Sequence, residues 1–318
     1  MLTSSRFVVA LGALSLATPA IAQDAMEPDL AAIDAPEDER PIPEQPESAP
    51  WRWSLDLYGR HGFDADLETA GEVGTTRFGT IIGVGGQLDE RSFLRVNLRI
   101  EASSYDFSNA DAFGAGPDGP LDEGYDISLR PIFVRQVNQE WGWLVSPFLR
   151  FSGERDVSLG EAIQYGGFVG VSRRFNENFS LTLGGGAQTR FEDDPLVIPY
   201  IAFEWTPSET LSVESDGLGV TATRALTEAW SARLFARWEP RDYRLADDGP
   251  IPDGVMRDDE VLMGLSLIWA PSRRSSLDLT LGATVYRQIE TLDDSGDTLR
   301  REEVDPAPFV SARFTWAF

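Results

Sequence analysis

The last nine residues of the chain alternate. Val310, Ala312, Phe314, Trp316 and Phe318 are apolar, and Ser311, Arg313 and Thr315 between them are polar or charged. A period of two is the mark of a β-strand with one greasy face and one wet face. Phe93–Ala102 repeats it, with Leu94, Val96, Leu98 and Ile100 set between Arg95, Asn97, Arg99 and Glu101. Trp230–Glu239 and Leu277–Val285 do the same. These runs last about 9–13 residues, where strands of soluble domains average about 5–6 and a tilted bilayer-crossing strand needs about 9–11. Their polar faces carry closely spaced charge, which suits a water-filled lumen once the apolar face meets lipid.

Connections between the runs take turns in length. Short ones fall at Asp89–Arg91, Asn138–Glu140, Asn176–Asn178, Pro207–Glu209, Thr227–Ala229 and Pro271–Ser275. Longer ones fall at Asp64–Thr75, Tyr105–Gly124, Gly153–Glu161, Arg244–Asp259 and Glu290–Pro306. Short inner turns and long outer loops are the rule of up-and-down membrane barrels. The spacing predicts an all-β, single antiparallel transmembrane barrel over 51–318 with fourteen strands. Leu211–Glu214 and Leu218–Ala222, joined by a tight turn at Ser215-Asp216-Gly217, are short enough to predict a notch in the outer rim. If that hairpin leaves the wall, the count is twelve. Eight of the nine tryptophans fall beside the short turns, with Trp238 the exception. Aromatic rings collect at a membrane–water boundary, and this placement is independent of the loop lengths.

The first fifty residues belong to neither pattern. Met1–Arg6 ends in a positive charge, Phe7–Ala17 is apolar, and Ala20-Ile21-Ala22 is an A-x-A site. Residues 1–22 are read as a secretory signal peptide, its apolar run being too short to span a bilayer. Residues 23–50 hold six prolines and nine acids against Arg40 alone, and no aromatic residue. Such a segment buries too little apolar surface to offset its ordering entropy, so a disordered linker is expected.

Charge and composition narrow the function. The 318 residues carry 27 basic and 52 acidic side chains, a formal net charge of −25. That balance argues against nucleic acid as a partner. There is no cysteine and only one histidine, which removes thiol chemistry and multi-His metal centres. The acids of Glu290–Asp305 and of Arg244–Asp259 show no metal-ligand spacing, so no metal or other cofactor is expected. Strand parity turns a charged set inward. Its arginines are Arg52, Arg95, Arg99, Arg130, Arg150, Arg233, Arg237 and Arg313, and its acids are Asp56, Glu101, Asp126, Glu204 and Asp278. Either these line a pore with a mild preference for anions, or they pair and brace a filled lumen.

The signal peptide ending at Ala22 and the closing strand Val310–Phe318 resemble those of single-chain outer-membrane β-barrels of Gram-negative bacteria. The resemblance implies an outer-membrane location with the linker and C-terminus periplasmic. It implies contact with outer-membrane lipid and lipopolysaccharide, and with periplasmic chaperones and the barrel-assembly machinery during biogenesis. Phe314, Trp316 and Phe318 match the alternate apolar ending that this machinery reads. Enzymes of this class pair a histidine with a serine or an aspartate. No serine stands two residues after His61, and no other part of those motifs is found, so an enzyme is not expected. The leading expectation is a passive or weakly selective channel for small solutes. A structural barrel with a plugged lumen is the alternative, and an outer-membrane lipid hydrolase the second.

Overall fold

The computed structural model describes residues 51–215 and 218–318. The signal peptide, the acidic linker and the Asp216-Gly217 part of the tight turn lie outside the described residues. Fifteen strands follow in order: β1 (Arg52–Asp66), β2 (Glu72–Asp89), β3 (Ser92–Ser108), β4 (Glu123–Gln136), β5 (Trp141–Gly153), β6 (Ile163–Asn176), β7 (Phe179–Arg190), β8 (Asp193–Ser208), β9 (Leu211–Ser215), β10 (Gly219–Ala225), β11 (Trp230–Arg244), β12 (Val255–Ser272), β13 (Ser275–Leu292), β14 (Thr298–Val304) and β15 (Ala307–Ala317). Each pairs antiparallel with its neighbours, and β1 pairs with β15 from Ser54↔Ala317 to Gly62↔Phe309, which closes the ring.

The wall has fourteen strands, because β14 and β15 are one strand with a break. β13 pairs with β15 up to Thr284↔Ala307 and then with β14 from Arg287↔Val304. Asp305-Pro306 interrupts the line, where proline brings no N–H to the ladder. The stretch expected as the loop Glu290–Pro306 is therefore largely wall, turning at Asp293–Asp297 through Gly296 at φ +89°. The loop before β12 is shorter than expected as well, since that strand begins at Val255. The β9–β10 hairpin stays in the wall, paired to β8 and β11, so the twelve-strand alternative falls.

Outside, the barrel is greasy. Phe78, Val169, Val197, Leu234, Leu265 and Leu281 are each more than half exposed, on strands all round the ring. Continuous apolar exposure of this kind belongs against lipid. Trp51, Trp53, Trp141, Trp143, Trp205, Trp230, Trp269 and Trp316 are all exposed and ring the short-turn end. This is the architecture of an outer-membrane β-barrel.

The other end is closed by packing. Tyr105, Phe107, Phe113, Leu121, Tyr243, Leu245, Met256 and Ile289 belong to one buried cluster formed by the long loops and the strand ends beneath them. The upper part of β11 crosses toward β5, where Arg244 bridges Gly153 and Ser152 Oγ donates to the Asp242 carbonyl at 2.6 Å. Gly124 admits Tyr243 there, since a Cβ would stand 2.6 Å from the ring.

Candidate lumenal site

Inward side chains divide the lumen into two chemistries. Ile132, Phe168 and Tyr200, from β4, β6 and β8, form a buried apolar cluster backed by Ala202. Opposite, β1–β3 and β11–β13 meet through ions. Arg60 pairs with Glu239 at 3.1 Å and Glu260 at 2.6 Å. Arg241 pairs with Glu101 at 3.1 Å, Glu239 at 2.9 Å and Glu260 at 3.0 Å. Arg77 pairs with Asp258 at 2.7 Å and also with Glu260. Asp258, fully buried, accepts further bonds from Tyr105 at 2.8 Å and from Arg287 Nε and Nη2 at 2.8 and 3.0 Å. Arg99 joins through Glu101 at 2.5 Å, which also accepts from Tyr58 at 2.8 Å. This layer lies directly beneath the apolar cap, with Tyr105 belonging to both. Buried charges persist only when paired and hydrogen-bonded, and here each carboxylate meets at least two donors.

Between the two halves lies a cavity of about 390 Å³. Ten arginines and seven carboxylates line it, with aromatic and aliphatic side chains between. Of the residues that parity turned inward, Arg99, Glu101, Asp126, Arg130, Arg150, Arg233, Arg237, Asp278 and Arg313 stand around this one space. Several pair across the wall: Arg150 with Asp126 on adjacent strands, and Arg233 of β11 with Asp278 of β13 across β12 at 2.6 Å. Others lie on rings, Arg130 over Phe148 at 5.6 Å and Arg313 over Tyr58 at 5.5 Å. Arg52, Asp56, Arg95 and Glu204 share the inward face but stand nearer the short-turn end, outside the cavity. There Asp56 accepts from Thr315 at 2.5 Å, and Arg95 donates to Asn97 at 2.8 Å and Ser54 at 3.2 Å.

The inward set held Arg99 and Glu101 of the ion layer but not its other members. Arg60 and Arg77 follow the inward count of their own strands, as do Glu239 and Arg241 beyond Arg237. Asp258 lies in a stretch expected as loop. Arg287 escapes for a different reason: the β12–β13 register slips between Val261↔Tyr286 and Leu262↔Thr284, so an odd-numbered residue joins the face that holds Asp278. His61 points outward, its Nδ1 2.9 Å from Thr76 Oγ1 and its ring edge-on to Phe63. Among the described residues no group of three or more His, Asp or Glu side chains converges as a metal site. Phe314 and Trp316 lie on the outer face of β15. Phe318 donates its N–H to the Trp53 carbonyl at 2.9 Å and packs on Trp316, ring centroids 4.7 Å apart.

Among solved structures the chain is similar to an outer membrane channel from Pseudomonas putida F1, at 11% identity over 87% of this chain and 100% of that one, with a TM-score of 0.45. It is also similar to the Pseudomonas putida toluene transporter TodX, at 10% identity over 86% and 89% of the two chains, TM-score 0.41. A third is the translocator domain of the autotransporter NalP from Neisseria meningitidis, at 10% identity over 86% and 90%, TM-score 0.36. No curated protein matches the chain. A family model matches residues 125–317, strands β4 to β15, and the chain belongs to the family described as "Domain of unknown function (DUF6268)".

Proposed function

We propose that this barrel is a passive, weakly selective channel for small solutes in the outer membrane, with the short-turn end, the linker and the C-terminus on the periplasmic side. The observation that carries the reading is the cavity itself: about 390 Å³ of unfilled lumen between a charged wall and an apolar one. Its volume falls within the roughly 300–1,000 Å³ of ordinary small-molecule sites. Arg52 and Glu204 are exposed on the inward face near the short-turn end, which supports water access from that side. Residues 1–22 serve as the export signal and 23–50 as a solvated tether. Outer-membrane lipid and lipopolysaccharide surround the barrel, and periplasmic chaperones and the assembly machinery handle it on the way. His61 sits on the outer face against Thr76 and Phe63, and gives a hydrolase reading no support.

One observation favours a second reading, a structural barrel with a plugged lumen. The ion layer and the apolar cap together obstruct a straight route to the loop end. Single-channel conductance in a planar bilayer separates the two. Steady ohmic steps that grow with salt are expected, and a silent bilayer containing folded barrel would leave the plugged reading in place.

A further inference from the structure

The wall is incomplete on one side. β8 meets β9 only as far as Phe203↔Ser215, and β10 meets β11 as far as Gly219↔Arg237, with one more bond from Trp238 N–H to the Leu218 carbonyl. Beyond those points, among the described residues, β8 from Asp193 to Ala202 and β11 from Glu239 to Arg241 have no strand between them. β9 has five residues, so at about 3.3 Å each and a tilt near 40° it reaches roughly 13 Å along the membrane normal, about half of a ~25 Å apolar band. The gap therefore faces the outer half of the band, the end away from the tryptophan girdle.

Its lips bring apolar side chains to the cavity beside the inward charges Glu239 and Arg241. Leu196 and Ile198 come from β8, Leu218 from the start of β10, and Trp238 and Pro240 from β11. Trp238 carries the outward parity of lipid-facing Leu234, and it still lines the lumenal cavity. Above the gap, the β7–β8 tip ties down across it: Glu192 pairs with Arg244 at 2.5 Å, and Arg257 donates to the Phe191 carbonyl at 3.2 Å. The gap is thus tied across its upper side and leads inward to Arg233, Arg237 and Arg313.

We propose that this gap is a lateral port, through which amphiphiles with an apolar tail and an anionic head pass between the outer leaflet and the cavity. Apolar lips admit the tail, and an excess of arginine over carboxylate receives the head. With the loop end capped, the port is the cavity's way to the outside. Onward passage to the periplasm rests on the channel reading, whereas entry through the port does not.

The test uses the absence of native cysteine. Leu196→Cys and Leu218→Cys, on opposite lips, are folded into liposomes and treated with pyrene maleimide, which partitions into the bilayer. Heat-modifiable mobility confirms that each variant is folded. Leu234→Cys sets the rate for a lipid-facing site on complete wall, and inward-facing Ser172→Cys the rate for a site reached through water. Leu196 is half-buried and Leu218 buried, so both lip positions are expected to react more slowly than Leu234→Cys but faster than Ser172→Cys. Decanesulfonate at about ten times its Kd should slow the lip positions alone by about tenfold, since about nine-tenths of the sites are then occupied. Lip labelling no faster than Ser172→Cys, or no protection by decanesulfonate, overturns the port. Liposome swelling with a small sugar reads the channel separately. Swelling without lip labelling removes the port and keeps the channel, while protected lip labelling without swelling keeps the port and removes the channel.

Discussion

Replacing Asp258 by asparagine changes one atom's chemistry at the junction of the ion layer and the cap. The carboxylate is fully buried and accepts from Arg77, Tyr105 and twice from Arg287, at 2.7 to 3.0 Å. Asparagine keeps the shape but removes the charge, and it turns one acceptor into a donor aimed at guanidinium groups. Arg77 retains Glu260, while Arg287 has no other acid within ion-pairing distance among the described residues. Removing one partner of a buried pair costs about 3–5 kcal/mol, because the other charge stays buried without compensation. At about 1.4 kcal/mol per tenfold, the folded-to-unfolded ratio should drop by roughly 10²- to 10⁴-fold. Urea unfolding of the barrel in vesicles, followed by tryptophan fluorescence, measures this. A loss below about 1 kcal/mol, the level of an exposed pair, would refute the claim that the layer is desolvated.

A cycle with Arg287→Met tests whether the pair acts as a unit. Once Asp258 is neutral, removing Arg287 should cost less than it does in the native barrel, with a coupling of about 0.5–3 kcal/mol. Strict additivity would mean that the two groups are independently solvated.

Three further outcomes are expected. Deleting Phe318 removes a hydrogen bond to Trp53 and a ring contact with Trp316 at the closing seam, so assembled yield should fall while export continues; wild-type yield in outer membranes would show that the ending is not read. Reversal potentials in a KCl gradient should show a mild anion preference, since ten arginines face seven carboxylates around the cavity and the outer acids are screened over about 10 Å at 0.1 M salt; a cation preference that survives high salt would refute it. In the loop after β5, burial raises the Glu154 carboxyl above its ordinary value, and its Oε2 accepts from the Ala246 N–H. A raised folded value favours the protonated form, so this contribution is complete below about pH 4.3 and is lost as pH rises through the folded value. Stability in urea unfolding should therefore fall more steeply with pH across this range in the native chain than in Glu154→Gln, although the Ala246 N–H bond by itself favours the ionised carboxylate.

How much of this could be read from residues alone follows from what each face touches. Lipid demands an unbroken apolar face, so strands such as β3, β12 and β15 announce themselves by alternation through the span. Above the apolar band that demand lapses. Val255–Asp259 and Thr298–Val304 are strands with charge on both faces, and their pattern is that of a loop. The inward arginines were legible by parity wherever the register is regular. Arg287 was not, because a bulge near Val285 has no signature in composition. Pairing was not legible at all: Arg241 meets Glu101 from the far side of the ring, 140 positions away, and only the crossing of β11 toward β5 brings them together.

The short β9–β10 hairpin ties these features into one physical argument. A strand edge in hydrocarbon exposes N–H and C=O groups that no water can satisfy, so an incomplete wall must be repaired or stripped of donors. Above the gap the barrel repairs it: β11 leans across, Arg244 bridges Gly153, and Glu154 N–H reaches the Arg244 carbonyl at 2.9 Å. Beside the gap it removes donors, for Pro195 and Pro199 lie on the open stretch of β8 and Pro240 on that of β11. The same usage recurs where β4 and β5 lose their ladder between Leu129↔Leu149 and Phe133↔Val145, the lapse in which Pro131 faces Pro147. Proline in a lipid-facing strand is thus the residue-level mark of a missing bond. If so, Pro199→Ala, which restores an N–H beside the port, should destabilise the barrel by about 1–3 kcal/mol, the cost of an unsatisfied buried donor. A neutral or stabilising effect in urea unfolding would mean that the edge is already hydrated, and the gap would then be a water-filled notch and no route for lipid-borne solutes.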